Sequence, residues 1–226
     1  LLRKISWKKS MKWGEHDLYW GRPLKSILAV FDGKILEFNM DHLKSSNKTF
    51  LNKELEENEK LFSNFKSYNK FFKKKGIIID QDKRKESIRN EIKKYSIKKN
   101  IKINLNERLL EEITNIVEKP KVLICEFDKR FLNIPKEILI ITMQNHQKYF
   151  PTFDKKEKLT NIFLVVADIK DQKGFVKLGN ERVVEARLSD AEFFWNKNRS
   201  QNLVKQVTNL KNINYFKGLG TYLDKV

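Results

Sequence analysis

Several features are scarce or missing, and each absence narrows the class of protein. Cys125 is the single cysteine among 226 residues, which excludes an intrachain disulfide and any cysteine-cluster zinc site. No apolar run approaches the roughly 18–20 residues that a membrane-spanning helix needs. The first residues are too charged and too few for a signal peptide. We therefore expect a cytoplasmic protein without membrane contact, in which Cys125 follows a Val-Leu-Ile run as a core residue.

Nucleotide and metal motifs are also missing. The chain has neither a GxxxxGK[ST] phosphate loop nor a Rossmann glycine fingerprint. The KGLGT segment at 217–221 lacks the phosphate-loop lysine spacing, which favours a loop between helices. His16, His42 and His146 are far apart in sequence and form no HxxxH or HExxH pair, so a metal site has little support. The sequence thus predicts no cofactor site, no metal site and no catalytic residue of its own.

Basic charge is abundant. The formal net charge is +18 and the sequence pI is about 9.8, which favours polyanionic partners. However, only nine of the 47 basic residues are arginines, the residues that bind phosphate through two parallel hydrogen bonds. Lysine also serves as ordinary solubilising surface. Charge alone leaves nucleic-acid binding and a lysine-rich surface as equal alternatives.

The spacing of apolar residues indicates both strands and helices and shows no internal repeat. This mixture predicts an α+β fold with a mixed sheet and packed helices. Asp32-Gly33 joins two apolar runs and predicts a hairpin within 23–38. We expect one domain over 1–200, with a lysine-rich insertion at about 39–75 that is either helical or irregular. Residues 201–226 would begin the connection to a following domain. Further predicted strands lie at 76–79, 122–125 and 162–167, and predicted helices carry Ile88–Tyr95, Leu109–Val117, Ile138–Thr142, 180–196 and 201–211.

The stretch MQNHQKYFP, at 143–151, ends a predicted helix on amides and a histidine. The amides and His146 could read a nucleotide edge while Tyr149 or Phe150 stacks on a base. The alternative is that the aromatics are core residues and that His146 is a polar helix end near the negative end of the helix dipole. A role as general base is disfavoured, because no nucleophile or partner carboxylate accompanies His146 in the sequence.

Two arginines lie in a second polar stretch. A helix beginning near Asn180 would place Arg187 four residues from both Val183 and Ala191, on the same apolar stripe. A buried guanidinium needs a partner. Arg187 would therefore either form an internal salt bridge or, together with Arg182, edge a groove and meet phosphate.

Five ordered blocks carry a family resemblance. They resemble signature blocks of the β subunit of bacterial glycyl-tRNA synthetase, and the whole chain is similar to an internal part of it, about a third. Because the chain starts at Leu1 without methionine, we expect a fragment. The blocks lie at 9–23, 108–120, 131–151, 179–195 and 217–225.

The resemblance implies a division of labour. The α subunit would hold the class II catalytic core with ATP and Mg²⁺, and the β subunit would bind and position glycine tRNA within an α2β2 tetramer. The implied fold resembles the editing-type domain of the phenylalanyl-tRNA synthetase β subunit, which alone implies no editing. No DNA partner is implied. The expected RNA-positioning residues are His146, Lys148, Tyr149, Arg182 and Arg187.

One segment departs from the family pattern. Where the family has Arg-Gly-His-Arg-Phe, this chain reads Ser46-Asn47-Lys48-Thr49-Phe50. Only the phenylalanine is retained, so a function of that basic segment is not carried over. Three other readings of the chain remain: a stand-alone non-catalytic RNA-binding module, a hydrolase, and a purely structural scaffold.

Overall fold

The computed structural model describes residues 2–50 and 59–225. The chain forms two compact units, Leu1–Ile79 and Asp80–Val226. The domain expected over 1–200, with a connection over 201–226, stays a prediction. Both units contain strands and helices, so the predicted α+β class is confirmed.

The N-terminal unit is built from short strands. They are β1 Met11–Lys12, β2 Tyr19–Trp20, β3 Ile27–Leu28, β4 Val30–Phe31, β5 Lys34–Ile35, β6 Asn39–Met40, β7 Leu43–Ser46, β8 Lys48–Phe50 and β9 Glu59–Leu61. Strand β7 pairs parallel with β3 and antiparallel with β6, so this small sheet is mixed. Antiparallel hairpins form between β1 and β2, β4 and β5, and β8 and β9. A 3₁₀ turn covers Leu2–Lys4.

The hairpin predicted around Asp32-Gly33 is confirmed by β4 and β5. Asp32 has φ 48° and Gly33 has φ 75°. Two successive positive φ values are the requirement of the primed turn that matches strand twist, and Asp-Gly meets it with little steric cost.

The lysine-rich segment at 39–75 contains both strands and a helix. Strands β6 to β9 are followed by helix α1, Phe65–Lys74, whose N-cap Asn64 accepts a hydrogen bond from the Ser67 amide at 2.9 Å. Phe62 is buried and packs edge-on against Tyr68 at a ring separation of 5.0 Å. Positions 51–58 of this segment lie outside the described residues. The strand predicted at 76–79 is wrong, because these residues are irregular.

The C-terminal unit contains a three-stranded antiparallel sheet of β10 (Lys121–Glu126), β11 (Phe150–Phe153) and β12 (Leu159–Ala167), with β12 in the middle. Lys102 adds a single bridge to Phe153 of β11. Helices flank the sheet, and a 3₁₀ helix and a π-helix surround the short helix after Pro135. The elements are α2 Gln81–Lys99, α3 Glu107–Ile116, β10 Lys121–Glu126, a 3₁₀ helix Lys129–Asn133, α4 Lys136–Ile141, a π-helix Thr142–His146, β11 Phe150–Phe153, β12 Leu159–Ala167, α5 Phe175–Ser200, α6 Leu203–Gln206, a 3₁₀ helix Val207–Asn212 and α7 Tyr222–Lys225.

Side chains of the sheet point alternately to two cores, as strand geometry requires. Phe163 and Val165 of β12 pack on one face with Val184 and Leu188 of α5. Leu164, from the same strand, packs on the other face. There it meets residues of α2 and α3: Ile88, Ile92, Leu109, Leu110 and Ile113. The sheet is therefore the middle layer of three.

Most of the predicted elements of this unit are confirmed, with longer bounds. Helix α5 begins five residues before the predicted 180–196 segment. Its first turn is stabilised by Asp171, which accepts hydrogen bonds from the amides of Val176 (3.2 Å) and Lys177 (2.8 Å). Gly218 and Gly220 have positive φ in the turns before α7, so the reading of KGLGT as a loop is confirmed. No described helix has the length and apolar composition needed to cross a membrane.

Cys125 is fully buried in the core on the α5 side of the sheet, as predicted. Burial first, and then the charge of Glu181, raise the pKa of this thiol to about 12. A thiolate is the reactive form of cysteine, so burial makes Cys125 inert.

The stability of this unit can be tested at Phe163. Its ring is fully buried and stacks on Tyr149 at a centroid distance of 5.2 Å. Phe163→Ala should lower the free energy of unfolding by about 3–5 kcal/mol, measured by urea denaturation. Phe193→Ala, at a ring that is 60% exposed, is the matched control and should cost far less. Equal losses in both variants would contradict the assigned core.

The burial of Cys125 predicts slow labelling. With a pKa of about 12, only about one thiol in ten thousand is ionised at pH 8. Reaction with a disulfide reagent should be negligible in the folded chain and fast in denaturant. Rapid stoichiometric labelling under native conditions would show that the thiol is accessible.

Candidate nucleic-acid interface

A polar pocket of about 310 Å³ lies between the start of α3 and the π-helix. Amide, carboxylate and cationic side chains line it, with little apolar surface. The lining residues are Asn106, Arg108, Leu109, Glu112, Gln144, Asn145 and Lys148.

The start of α3 is held by its cap and by its buried face. Asn106 accepts a hydrogen bond from the Leu109 amide at 3.1 Å, and such caps contribute about 1 kcal/mol. Glu107 accepts from both Nη atoms of Arg89, at 2.8 and 3.0 Å, which holds the pKa of Glu107 below its ordinary value. Arg108, the next residue, is the cation that this turn contributes to the pocket.

The opposite wall comes from the π-helix that follows α4. Its Met143 is fully buried, and the Met143 carbonyl accepts from the Tyr149 amide at 2.9 Å. Lys148 has φ 61°, a left-handed conformation that reverses the chain before β11. Single π turns widen a helix and often occur at functional sites. Here the widened turn presents Gln144 and Asn145 to the pocket.

The charges within the pocket are partly balanced. Lys148 Nζ lies 2.9 Å from Glu112 Oε1, and both side chains are partly exposed. The structure shows no carboxylate paired with Arg108 within the described residues. The pocket therefore carries one unbalanced positive charge, together with amide donors and acceptors.

The predicted site residues of the MQNHQKYFP stretch separate in the structure. Lys148 lines the pocket, and His146 is exposed at the end of the π-helix without contributing to the pocket wall. Tyr149 is only 6% exposed, its ring stacks on Phe163 and its hydroxyl donates to Asn180. A base cannot stack on a ring in this position, so Tyr149 is a core residue.

The expectation that Arg187 lies on the apolar stripe of its helix is wrong. The buried face of α5 carries Val184 and Leu188, whereas Arg187 and Val183 are exposed. Within 2–50 and 59–225, neither Arg182 nor Arg187 has a carboxylate partner, so the predicted internal salt bridge is not found. Five helical positions separate the two arginines by about 140° around the axis, so they face different directions.

The sequence interpretation missed three polar residues of the pocket: Asn106, Arg108 and Glu112. Asn106 could have been noticed as a cap before an apolar periodic run. No local signal indicates that this turn meets residues 144–148, because their contact depends on how the two helical layers pack.

Two histidines that are far apart in the sequence lie side by side in the structure. In the N-terminal unit, the His16 and His42 rings stack at a centroid distance of 3.4 Å. His42 Nδ1 lies 2.9 Å from an oxygen of Asp41. This hydrogen bond is the main reason that the pKa of Asp41 is lowered.

Comparison with known sequences identifies the family of the chain. The sequence model of one family, described as "Glycyl-tRNA synthetase beta subunit", matches residues 1–226. The chain belongs to this family. It is 35% identical over its whole length to the glycine–tRNA ligase beta subunit of Thermodesulfovibrio yellowstonii, covering 33% of that protein. The corresponding subunits of Rickettsia akari (35%, 34% covered) and Dictyoglomus thermophilum (37%, 33% covered) are similarly related. The chain spans about a third of the length of these curated relatives.

Two of the blocks that resemble this family build the pocket. Arg108 and Glu112 lie in the 108–120 block, and Gln144, Asn145 and Lys148 lie in the 131–151 block. The pocket is thus a place where the structure brings together two separate stretches of the family resemblance.

The Lys148–Glu112 pair gives a test of the pocket charge. Glu112→Gln removes the carboxylate 2.9 Å from Lys148 and should tighten binding of an RNA oligonucleotide several-fold at low salt, measured by fluorescence anisotropy. Glu111→Gln changes net charge equally on the same helix but lies outside the pocket lining. An equal gain in both variants would show a general charge effect and no role for the pocket.

Proposed function

We propose that this chain is the part of a glycine–tRNA ligase beta subunit that binds and positions tRNA and assembles with the catalytic alpha subunit. The assembled ligase joins glycine to the 3′ end of its tRNA, with cleavage of ATP to AMP and pyrophosphate. ATP and Mg²⁺ would bind in the alpha subunit, which holds the class II catalytic core.

The polar pocket is the observation that carries the proposal. Arginine binds phosphate through two parallel hydrogen bonds, and Arg108 is the pocket cation that has no carboxylate partner among residues 2–50 and 59–225. Gln144 and Asn145 supply amides of the kind that read nucleotide edges. The volume of about 310 Å³ is at the lower end of ligand pockets, which suits a single nucleotide unit. His146, on the exposed side of the same π-helix, would extend this surface.

The outward face of α5 supports a protein contact. Phe175 and Phe193 are 69% and 60% exposed, and Arg182 lies within about 20° of both around the helix axis. Exposed aromatics grouped with arginine are typical of subunit interfaces. We assign this face to the alpha subunit, within an α2β2 assembly in the cytoplasm.

The fold of the C-terminal unit is compatible with the same proposal. An antiparallel sheet between helical layers supports a resemblance to the editing-type domain of the phenylalanyl-tRNA synthetase β subunit. Since fold does not determine activity, we assign binding and positioning, rather than hydrolysis, to this unit.

The test is steady-state glycylation by the complete ligase. Arg108→Ala and Lys148→Ala should each raise the KM for tRNA about tenfold, since a hydrogen bond to a charged group contributes about 1.5–3 kcal/mol. The turnover number and the KM values for glycine and ATP should stay unchanged. The matched control is Lys155→Ala, an exposed lysine in the turn between β11 and β12.

Assembly is followed in the same preparations by co-purification with the alpha subunit. Variants that assemble fully and keep the original KM for tRNA would rule out the pocket as a tRNA contact. Failure of the unaltered protein to co-purify with an alpha subunit would favour a stand-alone RNA-binding module.

A further inference from the structure

His16 and His42 are 26 positions apart in the chain, and two turns of the N-terminal unit bring them together. His16 lies in the loop that joins β1 to β2, and Asp41 and His42 form the connection between β6 and β7. The imidazole planes are only 11° apart, at a centroid distance of 3.4 Å. One potential ligand atom from each of His16, Asp41 and His42 lies within 4.8 Å of the other two.

Both turns are braced by contacts of their own. In the first, Lys12 pairs with Asp17 at 2.6 Å, and Trp13 Nε1 donates to the Trp20 carbonyl at 3.0 Å. Each of these contacts links the chain before His16 to the chain after it. Together they hold the β1–β2 loop, and therefore His16, in place.

The second turn is anchored by buried residues of its hairpin. Met40, at the end of β6, is 2% exposed. Ser45 is buried in β7, where its hydroxyl donates to the Leu36 carbonyl at 2.8 Å and accepts from the Phe38 amide at 2.9 Å. Asp41 has φ 55°, a left-handed conformation that aspartate tolerates better than most residues.

We propose that His16, Asp41 and His42 form a binding site for a divalent transition-metal ion, with Zn²⁺ as the best match. Two imidazole nitrogens and one carboxylate oxygen are typical zinc ligands, at about 2.0–2.2 Å from the ion. Three protein ligands leave a fourth position for water or a ligand. Hard cations such as Mg²⁺ prefer oxygen ligands, so this donor set selects against them.

The rearrangement that binding requires is small. Two ligands on a tetrahedral zinc ion are about 3.3 Å apart, so atoms now within 4.8 Å must close by at most about 1.5 Å. The stacked rings must also tilt so that their nitrogen lone pairs converge. Both histidines are exposed, and the terminal torsion of histidine is broad, which makes such a rotation inexpensive.

A cleft lies beside the cluster and could hold a ligand for the open coordination position of the ion. It has a volume of about 460 Å³ and includes His16 and His42 in its wall, together with Trp13, Trp20 and Lys25. A ligand held in this cleft by aromatic and cationic side chains could reach the open position of the ion. Simple stacking of two histidines would need neither the carboxylate nor the cleft.

The experiment measures Zn²⁺ binding to the full-length protein by competition with a fluorescent zinc indicator. The unaltered protein should bind Zn²⁺ in the micromolar range. His16→Asn, His42→Asn and Asp41→Asn should each weaken this affinity at least tenfold, with folding checked by circular dichroism. The matched control His146→Asn replaces an exposed histidine of the other unit and should keep the original affinity.

A second measurement distinguishes a coordinated ion from loose association. Co²⁺ in place of Zn²⁺ should give the intense visible absorption of a tetrahedral site, and His42→Asn should abolish it. Unaltered Zn²⁺ affinity in the His16 and His42 variants, or no binding by the original protein, would overturn the proposal.

Discussion

Strand β12 is packed on both of its faces, and the C-terminal unit is arranged around this strand. Phe163 and Val165 contact the layer formed by α5, α4 and the π-helix, while Leu164 contacts the layer formed by α2 and α3. Burial of a large apolar side chain contributes about 1.5–3 kcal/mol. Because one strand supplies both cores, neither helical layer can shift without disturbing the other.

The candidate site is a consequence of this arrangement. Leu109 belongs to the core on one face of the sheet, and Met143 belongs to the core on the other. The polar residues next to them, Arg108 and Gln144, meet in the pocket near the start of β11. The sheet holds the two helical layers at a fixed distance, and this fixes the spacing of the polar side chains that the layers contribute to the pocket. A preorganised binding site requires such fixed spacing.

Local patterns in the sequence were sufficient to predict several elements. The spacing of Leu109, Leu110 and Ile113 marked α3, and Asp32-Gly33 marked a hairpin. Both signals act within a few residues, through helical periodicity and turn conformation. The chemistry of Cys125 was also predictable, since a cysteine after an apolar run belongs in a core.

The features that could not be predicted depend on packing at a distance. Arg108 and Gln144 are 36 positions apart, and only the packed layers join them. His16 and His42 meet because two separate hairpins are anchored by their own contacts. Arg187 faces solvent because the buried stripe of α5 is centred on Val184 and Leu188 rather than on Val183. A shift of one helical position turns a side chain by about 100° around the axis, which is enough to move it from core to solvent.

We propose that the C-terminal unit contacts tRNA phosphates through its polar pocket. The most direct measurement is the affinity of the protein for glycine tRNA, and for an unrelated tRNA, across a salt series. We expect glycine tRNA to bind more tightly, with log K falling by roughly 0.7–0.9 per log unit of salt for each phosphate contact. Arg108→Ala should make this slope shallower by about the contribution of one phosphate contact. Absence of binding at physiological salt, or a slope that Arg108→Ala leaves unchanged, would rule out the pocket as a site of phosphate contact.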